Sequence, residues 1–138
     1  MTKLKLQNTV DFGNASRGLI AFDEVRVLEI EALVDTGATM LAIPVEAAAA
    51  LGLPEKERKK VKLADGSVLE LARVTELTIE ILGRSMACDA LVLPTGATAL
   101  IGQIPLEGLD LVVDPKSREV RVNPASPDTP MMDLLRAS

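Results

Sequence analysis

The 138-residue chain has no histidine, no tryptophan and no tyrosine, only one cysteine and only two phenylalanines. Each absence excludes something. Without His there is no Ser–His–Asp or Cys–His pair and no imidazole-bound zinc. Cys88 cannot close an internal disulfide, has no imidazole to activate it, and lies in the apolar stretch MACDALVL. It reads as an inert structural thiol in a reducing compartment. No window approaches the roughly 18–20 uninterrupted apolar residues of a membrane span. The opening MTKLKLQNTVDFGNAS lacks the apolar stretch of a secretory signal. A soluble, cytoplasmic domain with no membrane partner is the expectation. A net charge of −5 argues against a nucleic-acid partner, because neutralising phosphates needs a cationic face.

Phosphate and metal chemistry find no support either. The run GATALIG (Gly96–Gly102) is not followed by the Lys-Ser/Thr of a phosphate loop. Glu107, Asp110 and Asp114 are not spaced as a calcium loop. No cofactor and no metal are expected, which leaves carboxylates to do any catalysis.

Apolar residues make up 48 % of the chain, so a core must be built from Val, Leu, Ile and Ala. Strand-like alternation dominates. Val25 and Val27 alternate with charged residues, then the phase slips to Ile30, Ala32 and Val34, which predicts a bulge or bend near Leu28. Val45–Leu51 is the best helix, with Pro44 before its first turn and Gly52 and Pro54 at its stop. Two extended runs, Val61–Leu63 and Val68–Val74, flank Ala64-Asp65-Gly66, a strong hairpin signal. Further strands are expected at Leu77–Leu82, Met86–Leu93, Ala97–Ile101, Leu111–Val113 and Val120–Val122, with a helical turn at Gln103–Leu109. The mixed-charge run EKERKK (Glu55–Lys60) reads as a solvated loop. Many short strands and one confident helix indicate an all-β barrel or sandwich, one domain over residues 1–122. Residues 123–138 form a Pro-rich tail, NPASPDTP then MMDLLRAS, ending in a short helix or frayed.

One stretch departs from this pattern. In ALVDTGATMLAIP (32–44), Asp35 follows an apolar strand and precedes another apolar run. Asp-x-Gly alone is ordinary turn chemistry, in which Asp bonds its own backbone and Gly supplies a left-handed angle. The apolar flanks, however, predict a rigid, semi-buried loop, where an isolated ionised carboxylate is costly.

The stretch Ala32–Thr39 (ALVDTGAT) resembles the catalytic loop of the retropepsin-like aspartic proteases, including their short bacterial relatives. Val61–Val68 (VKLADGSV) stands where those proteins carry a flap hairpin, and Leu100-Ile101-Gly102 matches the strand that braces their catalytic loop. IPLEGLDLVVDP (Ile104–Pro115) is similar to the helix and closing strand pair of the bacterial relatives. The resemblance covers residues 20–122. It implies a closed acid-protease barrel and an aspartic endopeptidase acting on polypeptide.

In that family two carboxylates share one proton, since like charges about 3 Å apart cannot both ionise. One accepts a proton from water while the other donates to the substrate carbonyl, a route needing neither His nor metal. Asp-Thr-Gly occurs once here, so the second carboxylate is expected from a second copy of the chain in a homodimer. The resemblance implies that Asp35 is catalytic, that Thr36 bonds across the dimer, that Gly37 permits close backbone approach, and that Ala38 touches substrate. Ala64, Asp65 and Gly66 would form the flap tip. Ile101 and Gly102 would pack under the loop, with Ile101 either core or a subsite wall. Thr39 and Gln103 depart from the viral pattern, which often has Asp and Arg there. Two alternatives stay open: a non-catalytic peptide-binding or dimerisation module on the same fold, and a plain turn in an unrelated small β-barrel.

Overall fold

Leu4 and Leu6, separated by Lys5 and flanked by Lys3, alternate at the start of the chain and form a strand that the sequence reading passed over. The structure, a computed structural model, describes residues 1–131. It opens with β1 (Thr2–Asn8), α1 (Thr9–Ser16), a 3-10 turn (Phe22–Glu24), β2 (Val27–Val34), β3 (Leu41–Pro44) and α2 (Val45–Leu51). An arm follows, β4 (Glu55–Lys62) and β5 (Val68–Val74), then β6 (Leu77–Ile81), β7 (Arg84–Ala87), β8 (Ala90–Leu93) and β9 (Ala99–Ile101). The last elements are α3 (Gln103–Gly108), β10 (Leu111–Val113) and β11 (Val120–Val122).

Nine strands form one sheet in the order β4-β5-β8-β3-β9-β2-β1-β6-β7, and β10 and β11 pair separately. The chain is therefore mostly β, as expected. Two details differ. Besides α2 and the helical turn expected at Gln103–Leu109, which forms α3, the described residues hold one unexpected helix, α1. No ladder joins β4 to β7 among the described residues, so the sheet is open where a closed barrel was expected. The two ends explain this. β7 is only four residues long, and β4 is a charged, exposed arm that reaches beyond the core.

Leu4 and Leu6 are fully buried between β2 and β6, opposite Ile30, Leu28 and Ile79. Each such side chain contributes about 1.5–3 kcal/mol on burial. With Ile43, Leu51, Leu77, Ile81, Ile101 and Leu109 they make a wholly aliphatic core. The two aromatic residues stand outside it: Phe12 and Phe22 are exposed and meet edge to face, 6.1 Å between ring centres.

Helix α2 occupies Val45–Leu51 as expected and ends at Gly52, whose φ of +63° suits a residue without a Cβ. Asn8 ties it to α1, since its side chain accepts from the Asp11 amide at 2.9 Å and donates to the Leu51 carbonyl at 2.8 Å. Arg26 grips both Asp11 oxygens, at 2.7 and 3.0 Å, and its hydrogen bonds hold the Asp11 carboxyl below its ordinary range.

The bulge expected near Leu28 is absent. β2 pairs with β1 without a break from Val27 to Ala32, and Leu28, Ile30, Ala32 and Val34 share its inner face. Val25 lies before the strand, next to the 3-10 turn, so the phase slip marks a strand start. The register does shift between Glu55 and Glu57 on β4. That strand corrects a second expectation, because EKERKK is not a loop. Nearly all of β4 is exposed, so no buried face imposes an alternating pattern that sequence could reveal. Ion pairs to β5 steady it instead, Arg58–Glu70 at 3.3 Å and Glu57–Arg73 at 2.8 Å. Its density of charge also opposes edge-to-edge pairing with other sheets.

Beyond β11 the chain returns to the body. Arg84, 7 % exposed, donates to the carbonyls of Leu109 (3.1 Å), Asp110 (2.9 Å) and Ser126. Asp110 accepts from the Asn123 side chain (2.9 Å), the Ser126 hydroxyl and the Met131 amide (3.0 Å). The stretch expected to begin a tail is thus fastened through Met131. The terminal helix expected in MMDLLRAS lies, from Met132 on, outside the described residues.

Replacing Arg84 with Met leaves three carbonyls without their charged donor and is expected to cost about 3 kcal/mol in urea unfolding. The Ser126 hydroxyl, the Asn123 amide and the Met131 N–H lower the Asp110 pKa from 3.8 to about 2. A lowered folded pKa gives stability that is full above 3.8 and is lost as pH falls toward 2. Amide-exchange protection of residues 123–131 is expected to hold at pH 5 and to collapse across that window.

Candidate active site

Asp35 stands where β2 leaves the sheet. β9 lies between β2 and β3, parallel to the first (Ala32↔Ala99, Leu33↔Leu100, Val34↔Ile101) and antiparallel to the second (Ala42↔Leu100). The chain segments after β2 and after β9 then cross, and backbone bonds lock the crossing. The Asp35 amide donates to the Ile101 carbonyl at 3.0 Å, and the Ala38 amide to the Asp35 carbonyl at 3.0 Å. Returning bonds come from Gln103 to the Ala38 carbonyl and from Ile104 to the Thr39 carbonyl, both 2.9 Å. The Gln103 side chain adds a bond to the Thr36 carbonyl at 2.9 Å. Gln103 thus braces the loop of its own chain, at the position where the resemblance leads one to expect Arg.

Gly102 makes the crossing possible. A Cβ there would lie 2.5 Å from the Met40 carbonyl oxygen and 2.7 Å from that of Ala38, closer than such contacts allow. Gly37 is tight for a different reason. Its N–H donates to Asp35 Oδ1 at 3.0 Å, and a Cβ would sit 3.3 Å from that oxygen. One carboxylate oxygen is therefore oriented by the loop itself.

The Asp35 carboxylate is exposed in the single chain, not semi-buried as the apolar flanks suggested. Those flanks bury themselves beneath the loop, and nothing among the described residues covers its outer side. Two grooves meet there. One, about 1090 Å³, runs between the loop and the β4–β5 arm, with Ala38, Met40, Leu71 and Leu91 on its walls. The other, about 890 Å³, is bounded by Met1, Thr2, Leu33, Leu82 and Arg118. Asp35 and Leu100 line both.

The arm ends in a tight turn. Leu63 and Ser67 pair across it at 2.8 Å, and Gly66 adopts φ +87°. Asp65 accepts from the Ser67 hydroxyl and amide, which hold its carboxyl below the ordinary range. Asp65 is thereby a turn former.

The structure thus brings Asp35, Gly37, Ala38 and Ala64 to one groove. Thr36, Asp65 and Gly66 are exposed but do not line it, and Ile101 and Gly102 are buried under the loop. Ile101, wholly buried, is core. Its neighbour Leu100 faces the groove, as the period-two alternation of β9 requires. That signal was present in the sequence, whereas Met40 and Leu91 carry none that separates groove from core. Cys88 also lines the groove; burial, then the Asp89 charge, push its thiol up to about 12, so it stays protonated. Among the described residues no grouping of three or more His, Cys, Asp or Glu side chains is arranged to hold a metal ion. No helix among them is long and apolar enough to cross a membrane.

A carboxylate on a Gly-braced loop at the end of a β-strand, under a hairpin arm, is the arrangement of an aspartic-protease domain. The chain belongs to the retropepsin-like aspartic protease family: the model of the family described as "gag-polyprotein putative aspartyl protease" matches residues 24–108. That span runs from before β2 to the end of α3 and includes the Asp35 loop, the arm and Gly102. Among curated proteins none matches the chain significantly.

Replacing Gly102 with Ala drives a methyl group into two backbone carbonyls. The expected cost is about 1–3 kcal/mol, read as a lower thermal midpoint together with shifted amide resonances at Asp35, Ala38 and Gln103. Gly66→Ala, with no atom within 4 Å of an added Cβ, meets only the strain of its positive φ. It is expected to cost less and to leave those resonances in place.

Proposed function

We propose that the protein is a homodimeric aspartic endopeptidase whose two Asp35 carboxylates, one from each chain, meet across a two-fold axis. The observation that carries this reading is the exposed Asp35 carboxylate at the junction of two grooves, on a loop that its own chain rigidifies but does not cover. A single chain offers the site one carboxylate, and a second copy supplies the other without any further residue type.

In the proposed reaction the ionised Asp35 takes a proton from a water molecule as its oxygen bonds to the scissile carbonyl carbon. The protonated Asp35 of the other chain gives its proton to the carbonyl oxygen. The resulting gem-diol collapses: the first Asp35 gives the proton it took from water to the nitrogen, the C–N bond breaks, the other Asp35 takes the proton of one gem-diol hydroxyl, and acid and amine products leave with one proton again on the pair. The substrate lies extended in the larger groove as an added strand. Gly37 orients the carboxylate, Ala38 flanks the substrate backbone, and Thr36 bridges to the second loop. The turn Ala64-Asp65-Gly66 closes over the peptide and excludes water. Ile101 and Gly102 hold the loop from below.

Asp35→Asn is expected to abolish cleavage of an unfolded protein at mildly acidic pH while leaving the circular dichroism spectrum unchanged. Unchanged cleavage by this variant contradicts the proposal. Peptide binding by the native protein without any turnover supports the other reading, a non-catalytic peptide-binding module. Specific activity per chain is expected to rise with protein concentration and then level off as dimers fill.

A further inference from the structure

The two strands of the arm border the larger groove differently. β5 contributes alternate residues, Leu69, Leu71 and Arg73, so it turns one face to the groove. β4 contributes every residue from 59 to 62, and the turn adds Leu63 and Ala64, a pattern that arises when a groove runs along a strand's edge as well as its face. Among the described residues β4 is also an end of the nine-stranded sheet, paired only with β5. Its outer N–H and C=O groups therefore lack ladder partners there, on a strand that borders the groove beginning at Asp35.

That edge is cationic in an acidic protein. The chain carries a net charge of −5, yet residues 56–62 read KERKKVK. Arg58 and Arg73 are engaged by Glu55, Glu70, Glu57 and Asp89. Lys59, Lys60 and Lys62 have no carboxylate within 4 Å among the described residues. Strand alternation puts Lys60 and Lys62 on one face and Lys59 on the other, in register with Glu70, Val68 and Leu71. A chain pairing with this edge meets ammonium groups on both of its faces.

We propose that the free edge of β4 selects an extended polypeptide segment rich in Asp or Glu, so that the site acts on acidic peptides. This rests on the reading of the groove as a peptide site and adds to it the class of peptide. Lysines on an exposed edge repel other basic or neutral sheet edges, and the same charges admit an acidic strand. Opposite charges facing each other across paired strands stabilise the pairing. Two such pairs, the number an alternating acidic strand makes with Lys60 and Lys62 on one face, correspond at about 0.7 kcal/mol each to about a tenfold preference.

The test uses the full chain with Asp35→Asn, so that binding is read without turnover, and fluorescence anisotropy of labelled decapeptides. One peptide alternates Glu with Val, one Gln with Val and one Lys with Val. The acidic peptide is expected to bind about tenfold tighter than the neutral one, and the basic peptide weakest. Lys59→Gln, Lys60→Gln and Lys62→Gln combined are expected to bring the acidic-to-neutral ratio close to one. Raising salt to 1 M, where the screening length falls to about 3 Å, is expected to do the same without any mutation. Equal binding of the three peptides, no binding of any, or a ratio that survives both the variant and salt overturns the inference. A single-stranded oligonucleotide that displaces the acidic peptide at lower concentration also overturns it, in favour of a nucleic-acid partner. Cleavage by the native protein without charge preference overturns the inference but leaves the protease reading intact. Charge-selective binding with no cleavage by the native protein does the reverse.

Discussion

The crossing of the Asp35 loop with the segment after β9 is the constraint on which the rest of the molecule depends. Four hydrogen bonds tie residues 35–39 to residues 101–104, and the contact closes only because position 102 has no Cβ. β9 is three residues long, yet it joins β2 to β3 and so completes the continuous sheet. If the crossing opens, the carboxylate loses its orientation and the sheet its middle together. A rigid loop matters because acid–base chemistry depends on sub-ångström placement of the reacting groups.

Hydrogen bonding sets four other aspartates apart from Asp35. Asp11, Asp65, Asp110 and Asp114 each accept hydrogen bonds from a guanidinium, hydroxyl or amide donor, and each has its pKa lowered. They stay ionised in mild acid, where a shared-proton pair works, so the turns they hold survive the conditions that the proposed chemistry needs. Among the described residues the Asp35 carboxylate has one donor, the Gly37 amide, and an open outer side. Structural carboxylates are saturated within the chain, and the proposed catalytic one is left available.

Much of this was legible in the sequence because burial imposes period. Ile30, Ala32 and Val34 mark β2, the alanines between Pro44 and Gly52 mark α2, and Asp65-Gly66 marks the arm's turn. The residues around Asp35 and Gly102 carried the resemblance to the family. Three things could not be read. Charge on a strand exposed on both faces has no period, so EKERKK concealed β4. Whether an apolar flank buries the residue beside it depends on what covers the loop, so Asp35 was expected to be half hidden and is open. Helix α1 was missed because it buries only Asp11 and Ala15, which leaves no apolar stripe to detect.

The central claim is that two chains build one site, and mixing tests it most directly. Native protein is combined with Asp35→Asn protein at fixed total concentration, unfolded and refolded together so that mixed pairs form, and assayed for peptide cleavage. If each site needs both carboxylates, activity falls as the square of the native fraction, to about one quarter at equal parts. Activity that falls in direct proportion, to about one half, means that each chain works alone and contradicts the account.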